Sequence, residues 1–276
     1  MMIPNTLSIA GIDPSGGAGV LADVKAMSAL GAYATAVVAA LTSQNTQGVV
    51  SIYPVDTAFV QEQIDVLFAD VRIDAVKIGM LGQQPVIRTV IASLSHWQPA
   101  HIVLDPVMVA KSGDHLLEKS ATAEMREGLL PLATMITPNL PEAGVLLDVR
   151  PAESVKEMYG MAEKLRRLMA DSGERWVFLK GGHLPGDECT DLLYNGDQMI
   201  EMPAPRIHTK NTHGTGCTLS AALAALLPQH KNAVDAAKAA KSYLYQAIAR
   251  SGDLSVGSGH GPVNHFHQWW SIMQSN

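Results

Sequence analysis

The chain has 276 residues, a formal net charge of −6, and 47% hydrophobic against 17% charged residues. These proportions exclude a disordered chain, and the acidic balance gives no electrostatic footprint for nucleic acid or an anionic membrane surface. Residues 1–10 lack the pattern of a signal peptide, no apolar run is long enough to span a membrane, and two cysteines are too few for a disulfide framework. We therefore expect a cytoplasmic globular protein.

Short apolar runs alternate along the chain with longer amphipathic segments. In chain order the runs predict strands at 7–11, 34–41, 74–80, 101–107, 134–137 and 176–179. The amphipathic segments predict helices at about 18–30, 59–70, 84–94, 121–130, 155–171, 215–227 and 232–249. A hairpin is expected where 192–194 and 199–202 flank an Asn-Gly-Asp turn.

This alternation indicates a mainly parallel central sheet with helices on both faces. Strands that are apolar throughout fit burial on both faces. The sequence contains no linker and no repeat, so we expect a single α/β domain over residues 1–276. Such sheets bind ligands at the carboxyl ends of their strands, which makes the polar clusters after each strand the candidate site.

The strongest of these clusters is the turn N-T-H-G-T-G-C at 211–217. Gly214 and Gly216 let the backbone turn so that successive N–H groups face one point, and the following helix adds the positive end of its dipole. Gly214, Thr215, Gly216 and Cys217 could therefore form an anion hole for a phosphate or a transferring phosphoryl group. A cysteine at this position is expected to have a lowered pKa. The alternative is a plain glycine turn with Thr215 as the N-cap.

An earlier turn, G-I-D-P-S-G-G-A-G at 11–19, follows the first predicted strand and opens the first helix. Its spacing is not that of a dinucleotide-binding loop, and the chain has no Walker A sequence. The sequence therefore argues against both the dinucleotide-binding and the P-loop classes of protein. Asp23, in the first turns of that helix, is either a ligand-binding residue or a surface carboxylate that complements the helix dipole.

Four polar residues follow the later strands: Asp105, Asn139, Glu142 and Lys180. Asn139 and Glu142 could hold Mg²⁺ through water, although the same spacing matches a capping box. Lys180 precedes two glycines and could reach a phosphate or remain a solvated lysine. The segment 111–114 is interpreted as a lid or an exposed loop, and the three histidines within 260–267 as part of a structural C-terminal segment.

The order of these motifs resembles the ribokinase-like superfamily. Its elements are the glycine-rich Asp turn, D-P-V at 105–107, T-P-N-x-x-E at 137–142, K-G-G at 180–182 and N-T-H-G-T-G-C-T-L-S-A-A at 211–222. The resemblance is strongest to the hydroxymethylpyrimidine and phosphomethylpyrimidine kinases of thiamine biosynthesis, and it extends from residue 8 to residue 266. The G-T-G-C segment and Gln44 are its most discriminating parts.

The resemblance implies a ribokinase-like fold and the ATP-dependent phosphorylation of 4-amino-5-hydroxymethyl-2-methylpyrimidine, then of its monophosphate. It implies that the pyrimidine contacts Gly11, Asp23, Gln44, Met80 and Val107. It implies catalytic roles for Cys217, Gly214, Thr215, Gly216 and Lys180, nucleotide-binding roles for Lys180, Asn139, Thr209 and Lys210, and metal-binding roles for Asp105 and Glu142. The cofactors that it implies are ATP and Mg²⁺, with room for a monovalent cation, and the assembly is a homodimer.

Many ribokinase-like enzymes carry Asp where this chain has Cys217, and they use it as a general base. A phosphate monoester acceptor is already ionised and would be repelled by a carboxylate, whereas a thiol tolerates both an alcohol and a phosphate acceptor. Two rival functions stay open at this point. One is a pyridoxal kinase of the same superfamily, against which Gln44 argues, and the other is a non-catalytic pyrimidine sensor.

Overall fold

The computed structural model describes residues 2–108 and 121–273, the last three by their backbone alone. Its strands are β1 (Asn5–Ile12), β2 (Tyr33–Asn45), β3 (Gly48–Pro54), β4 (Ala75–Ile78), β5 (His101–Leu104), β6 (Met135–Ile136), β7 (Trp176–Leu179), β8 (Asp191–Tyr194) and β9 (Met199–Met202). Within the described residues they form one nine-stranded sheet in the order β3-β2-β1-β4-β5-β6-β7-β8-β9. The pairings from β2 through β7 are parallel and those at both edges are antiparallel, which confirms the predicted mainly parallel sheet.

Helices cover both faces of the sheet, as predicted. They are α1 (Gly19–Ala29), α2 (Thr57–Asp70), α3 (Gln84–Trp97), α4 (Ala121–Glu124), α5 (Leu130–Leu132), α6 (Leu140–Leu147), α7 (Val155–Arg166), α8 (Thr215–Leu226), α9 (Ala233–Ala249) and α10 (His267–Met273). One core cluster contains residues of α2, α3, α6 and α7, and a second contains residues of α1, α8 and α9. In the part of the chain that the structure describes, no helix is long and apolar enough to cross a membrane.

Helix α8 is the element that brings the site together. Four of its alanines, Ala221, Ala222, Ala224 and Ala225, are fully buried. Such small side chains let the helix backbone lie close to its neighbours, and α8 packs against α1, α9, β4 and β5. The N-terminus of α8 is thereby held at the carboxyl ends of the central strands.

The structure departs from the predicted elements in several places. β2 continues to Asn45 and turns back into β3, which was not predicted, and α6 was not predicted as a helix. α7 ends at Arg166 instead of 171, where the Arg166 guanidinium donates to the carbonyls of Ala170 and Asn195. The predicted helix 121–130 is α4 and α5 joined by the π-helical turn Met125–Leu129. The segment interpreted as a lid, 111–114, lies outside the described residues.

Candidate active site

Two glycine turns, 200 residues apart in sequence, lie against each other at the carboxyl end of β1. Gly214 has a φ of 74°, and a Cβ there would lie 1.7 Å from the carbonyl oxygen of Gly17. Only glycine fits such a position. Next to it, His213 Nε2 lies 2.7 Å from Asp13 Oδ2, and the same carboxylate accepts hydrogen bonds from the N–H groups of Ser15 and Ala18. These contacts fix the position of the 211–217 turn.

The N-terminus of α8 opens toward the residues that follow β5 and β7. Gly214 is the N-cap, so the alternative with Thr215 as N-cap is wrong, and no side chain caps the helix. A Cβ on Gly216 would lie 3.2 Å from Lys180 Nζ and 3.5 Å from Asp105 Oδ2. The uncapped N–H groups of a helix attract an anion, and here a lysine stands beside them. The turn therefore brings an uncapped helix N-terminus and a lysine side by side, and the anion hole stays a prediction.

The Cys217 thiol does not have the lowered pKa that its place at a helix N-terminus predicts. Burial raises the pKa of Cys217 to about 11, and the charges of Asp23 and Asp105 add to the effect. The Lys77 ammonium and the Gly19 backbone act in the opposite direction but do not outweigh burial. Near neutral pH the thiol is therefore protonated.

Lys180, Asp105 and Glu142 form a compact charged cluster. Lys180 Nζ lies 2.9 Å from Asp105 Oδ1 and 3.9 Å from Glu142 Oε2. Asp105 also accepts hydrogen bonds from Thr137 Oγ1 (3.1 Å) and Ser220 Oγ (3.3 Å). Burial pushes the pKa of Asp105 upward, but Lys180, Lys77 and these bonds hold it below its usual range. Burial raises the pKa of Glu142 to about 7, against the attraction of Lys180.

The capping box that the sequence offered as an alternative for Asn139 and Glu142 is present. Asn139 Oδ1 accepts from the Glu142 N–H at 2.8 Å, and Glu142 Oε2 accepts from the Asn139 N–H at 2.8 Å. The cap places Glu142 beside Lys180, because Asn139 also pairs with Lys180 as a parallel bridge. The capping role thus explains how the two residues reach the cluster, and it does not compete with a role in binding.

Asp105 and Glu142 fit a magnesium ion chemically. Two carboxylates close to one ammonium, one of them with a raised pKa, form a place where a further positive charge is favoured. The described residues contain no group of three or more His, Cys, Asp or Glu side chains arranged to hold a metal. Magnesium in phosphoryl-transfer sites is typically held by one or two carboxylates and by substrate phosphates, which is consistent with this arrangement.

Four of the five residues expected around the pyrimidine lie at or just after the carboxyl ends of β1, β2, β4 and β5, and the fifth, Asp23, lies on α1. The Gly11 N–H donates to the Met80 carbonyl at 2.9 Å, and a Cβ on Gly11 would strike Met80 Cε at 2.5 Å. Thr42 Oγ1 donates to the Ile12 carbonyl (2.8 Å) and to Gln44 Oε1 (3.2 Å), which ties Gln44 to the end of β1. Val107 lies two residues after Asp105 in the sequence, and its N–H donates to the Asp105 carbonyl at 2.8 Å.

Asp23 is not the surface carboxylate that one interpretation of the sequence allowed. It is fully buried, and its Oδ2 lies 2.6 Å from Ser8 Oγ and 2.7 Å from Lys77 Nζ. Among the described residues its Oδ1 has no hydrogen-bond partner. Sequence reasoning missed Lys77. A single lysine inside the apolar strand 74–80 was the available signal, since a lysine is fully buried only when it is paired.

Other expected residues lie farther out in the described structure. Thr209 Oγ1 accepts from the Asn211 N–H at 3.1 Å, Lys210 is exposed, and no recorded contact joins either to the charged cluster. Their nucleotide-binding role stays a prediction. Within 260–267, His265 Nε2 lies 3.1 Å from Thr218 Oγ1 in the interior, as expected of a structural segment.

Several known proteins are similar to this chain in sequence and in fold. The family model for phosphomethylpyrimidine kinase matches residues 13–264. Over 266 residues the chain is 52% identical to the hydroxymethylpyrimidine/phosphomethylpyrimidine kinase of Escherichia coli (strain K12), with 96% of this chain and 98% of that protein covered. The ADP complex of Bacillus subtilis pyridoxal kinase superposes with a TM-score of 0.87 at 32% identity over 100% of both chains. A phosphomethylpyrimidine kinase from Clostridium difficile 630 has a TM-score of 0.78 at 35% identity, covering 89% of this chain and 99% of its own.

The sheet, the uncapped α8 N-terminus and the lysine–carboxylate cluster together define an ATP-dependent kinase with the ribokinase-like fold. Within that class, the chain belongs to the phosphomethylpyrimidine kinase family of thiamine biosynthesis. Family membership confirms the predicted enzyme and excludes the non-catalytic sensor.

Proposed function

We propose that this chain phosphorylates 4-amino-5-hydroxymethyl-2-methylpyrimidine and then phosphorylates the monophosphate to the diphosphate. The observation that carries the proposal is the meeting of the uncapped α8 N-terminus with Lys180 and Asp105. The identity of 52% to a hydroxymethylpyrimidine kinase, against 32% to a pyridoxal kinase, favours the pyrimidine over pyridoxal as the main substrate.

In each step an acceptor oxygen forms a bond to the γ-phosphorus of ATP while the bond from that phosphorus to ADP breaks. The N–H groups at Gly216 and Cys217 stabilise negative charge on the transferring group, and Lys180 adds a positive charge beside them. Asp105 holds Lys180 in place through the 2.9 Å ion pair. Because Asp105 is buried and already paired with Lys180, little reorganisation is needed when charge develops.

Asp105 and Glu142 would hold Mg²⁺ together with the nucleotide phosphates. When bound, the ion neutralises charge on the phosphates. Asn139, Thr209 and Lys210 are proposed nucleotide-binding residues. Comparing activity in Mg²⁺ with activity in the presence of a chelator tests the requirement for Mg²⁺. Comparing activity in potassium with activity in a large organic cation tests the requirement for a monovalent cation.

A protonated Cys217 is a poor base, and this fits an acceptor that is ionised before it reacts. The monophosphate is such an acceptor, since a phosphate monoester carries about −1.5 to −2 charges at neutral pH. Cys217→Asp would add a third carboxylate beside Asp23 and Asp105, both of which already act on the Cys217 pKa. It should therefore reduce the second step more than the first. Equal losses in both steps would contradict this account of the thiol.

The direct test is ADP release with Mg-ATP, with the pyrimidine alcohol and its monophosphate offered separately. Turnover of both substrates is the expected result. Turnover of pyridoxal in place of both would overturn the proposal and assign the chain to the rival kinase activity. The variant Lys180→Met is expected to abolish turnover of each substrate and serves as the catalytic control.

We also propose that the chain forms a homodimer through its β3 edge. Val50 and Tyr53 are 84% and 71% exposed on this strand, and one side of β3 has no neighbour in the described sheet. An exposed apolar edge strand is a template for pairing with another chain, and natural proteins usually cover it. A second copy of the chain is the occupant that we propose.

A further inference from the structure

The pair formed by Lys77 and Asp23 is the most deeply buried ion pair recorded among the described residues, with both side chains 0% exposed. Lys77 lies on β4, beside Ser8 of β1, and Ser8 Oγ fixes Asp23 from the other side at 2.6 Å. Burial works against the charge of Lys77, but Asp23, Cys217 and Asp105 together outweigh it and the pKa of Lys77 is raised. The ammonium is therefore permanently charged, although the transfer chemistry described above does not use it.

The ammonium of Lys77 lies close to the carboxyl end of β4, next to the residue that precedes Met80. A Cβ on Gly79 would lie 2.6 Å from Lys77 Nζ, so the amine sits against the backbone that leads to Met80. Of the charges that act on the Cys217 thiol, that of Lys77 has the largest effect, ahead of that of Asp23. At Cys217 the effect of the positive charge of the pair is therefore larger than that of the negative charge.

A buried pair of this kind discriminates between acceptors by charge. In a site of low dielectric, a fixed positive charge acts strongly on an ion and weakly on a neutral group. The two acceptors of the proposed function differ in just this respect, because the alcohol is neutral and the monophosphate is an anion at neutral pH. Breaking a buried ion pair is destabilising, so its presence near Cys217 calls for more than a structural explanation.

We propose that Lys77 is a specificity-determining residue for the anionic acceptor, and that its buried charge favours the second phosphorylation over the first. This inference rests on the two-step function proposed above. Lys77 acts through the electrostatic field at Cys217 and does not touch the reacting atoms. Asp23 holds the ammonium in place, and the three N–H donors of Lys77 have one recorded acceptor among the described residues, Asp23 Oδ2.

The experiment measures kcat/KM for the alcohol and for the monophosphate in the wild type and three variants: Lys77→Met, Asp23→Asn, and the two combined. The ratio of the monophosphate value to the alcohol value is the readout, because a general loss of structure lowers both values and cancels. We expect the ratio to fall at least tenfold in both variants that lack Lys77. Asp23→Asn keeps the lysine but removes the carboxylate that raises its pKa, so its ratio should also fall, by less than in the variants without Lys77.

The combined variant removes both charges and leaves no unpaired ion, so it carries the test if Lys77→Met does not fold. Thermal melting of each variant with and without ATP establishes that the nucleotide half is intact. An unchanged ratio in the variants without Lys77 would overturn the inference while leaving the two-step function in place. A wild-type enzyme that does not accept the monophosphate would overturn both.

Discussion

Gly214 is the residue whose backbone conformation and surroundings both require glycine. Its φ of 74° strains any other residue, and a Cβ would collide with the Gly17 carbonyl oxygen at 1.7 Å. Gly214→Ala should therefore shift the N-terminus of α8 and reduce kcat/KM by about 100-fold or more, the scale of losing an oxyanion donor. Steady-state kinetics and urea unfolding check this. Gly160→Ala is the control: nothing lies within 4 Å of its Cβ position in α7, so it should leave activity unchanged.

Glu142 makes the stability of the enzyme depend on pH. Its pKa rises from 4.5 to about 7 on folding, so the native state binds the extra proton between these values. Stability from this group is present below about pH 4.5 and is lost as the pH rises through about 7. Glu142→Gln should therefore raise the unfolding free energy above pH 7 by about 3 kcal/mol and leave it unchanged below pH 4.5.

Urea unfolding across this pH range measures the effect, without substrate or Mg²⁺. Gln can replace Glu in a capping box, so the helix start is preserved. The variant should nevertheless lose at least about tenfold in kcat, because a carboxylate proposed to bind Mg²⁺ is gone. A variant that is destabilised above pH 7 would contradict this prediction. It would show that the contacts of the Glu142 carboxylate stabilise the fold by more than the burial of its charge destabilises it.

Much of the residue-level site follows from sequence, and the exceptions have physical causes. Gly216, Lys180, Asp105 and Glu142 come together as expected because each follows the carboxyl end of a strand or lies at the start of a helix. The pKa of Cys217 was predicted in the wrong direction, since its position on a helix is visible in sequence but its burial is not.

At the scale of the element, α6 combines two functions in its first turn. Asn139 caps the helix and is a proposed nucleotide-binding residue. Asn139→Ser keeps a capping oxygen, whereas Asn139→Ala removes it, and loss of such a cap costs about 1 kcal/mol. We expect the Ala variant to lose this stability and the Ser variant to retain it, while both bind ATP more weakly. Unfolding curves and nucleotide titration separate the two roles. Unchanged ATP affinity in both variants would leave capping as the role of Asn139.

Elements buried on both faces were predicted well, and exposed ones were not. β4 and β7 are buried at every position, and such short apolar runs are visible in sequence. β3 is exposed along most of its length, so neither a continuous apolar run nor a buried alternation marks it. Its existence depends on pairing with β2, from Ala40 opposite Pro54 to Asn45 opposite Gly48, and this tertiary contact has no local signature.

At the scale of the whole molecule, the β3 edge predicts the state of assembly. Val50→Lys combined with Tyr53→Lys should convert the proposed dimer to a monomer, because two charges would be buried at the interface. Light scattering after size exclusion measures the mass. Val145→Lys is the matched control, since Val145 is also exposed (52%) but lies on α6, far along the sheet from β3. A wild-type chain that is monomeric at high concentration would contradict the proposal.

The contact between the two glycine turns also has a consequence for the order in which the protein matures. His213 and Asp13 are separated by 200 residues, so their contact closes a very long loop of chain. Contacts of such long range are expected to form after local ones, because the chain loses entropy on closing the loop before the stabilising contacts at its ends have formed. During refolding, we expect recovery of ATP-dependent thermal protection to lag behind recovery of the far-ultraviolet circular dichroism signal. The enzyme would then become competent to bind its substrates only at the last stage of folding, and simultaneous recovery of both signals would contradict this sequence of events.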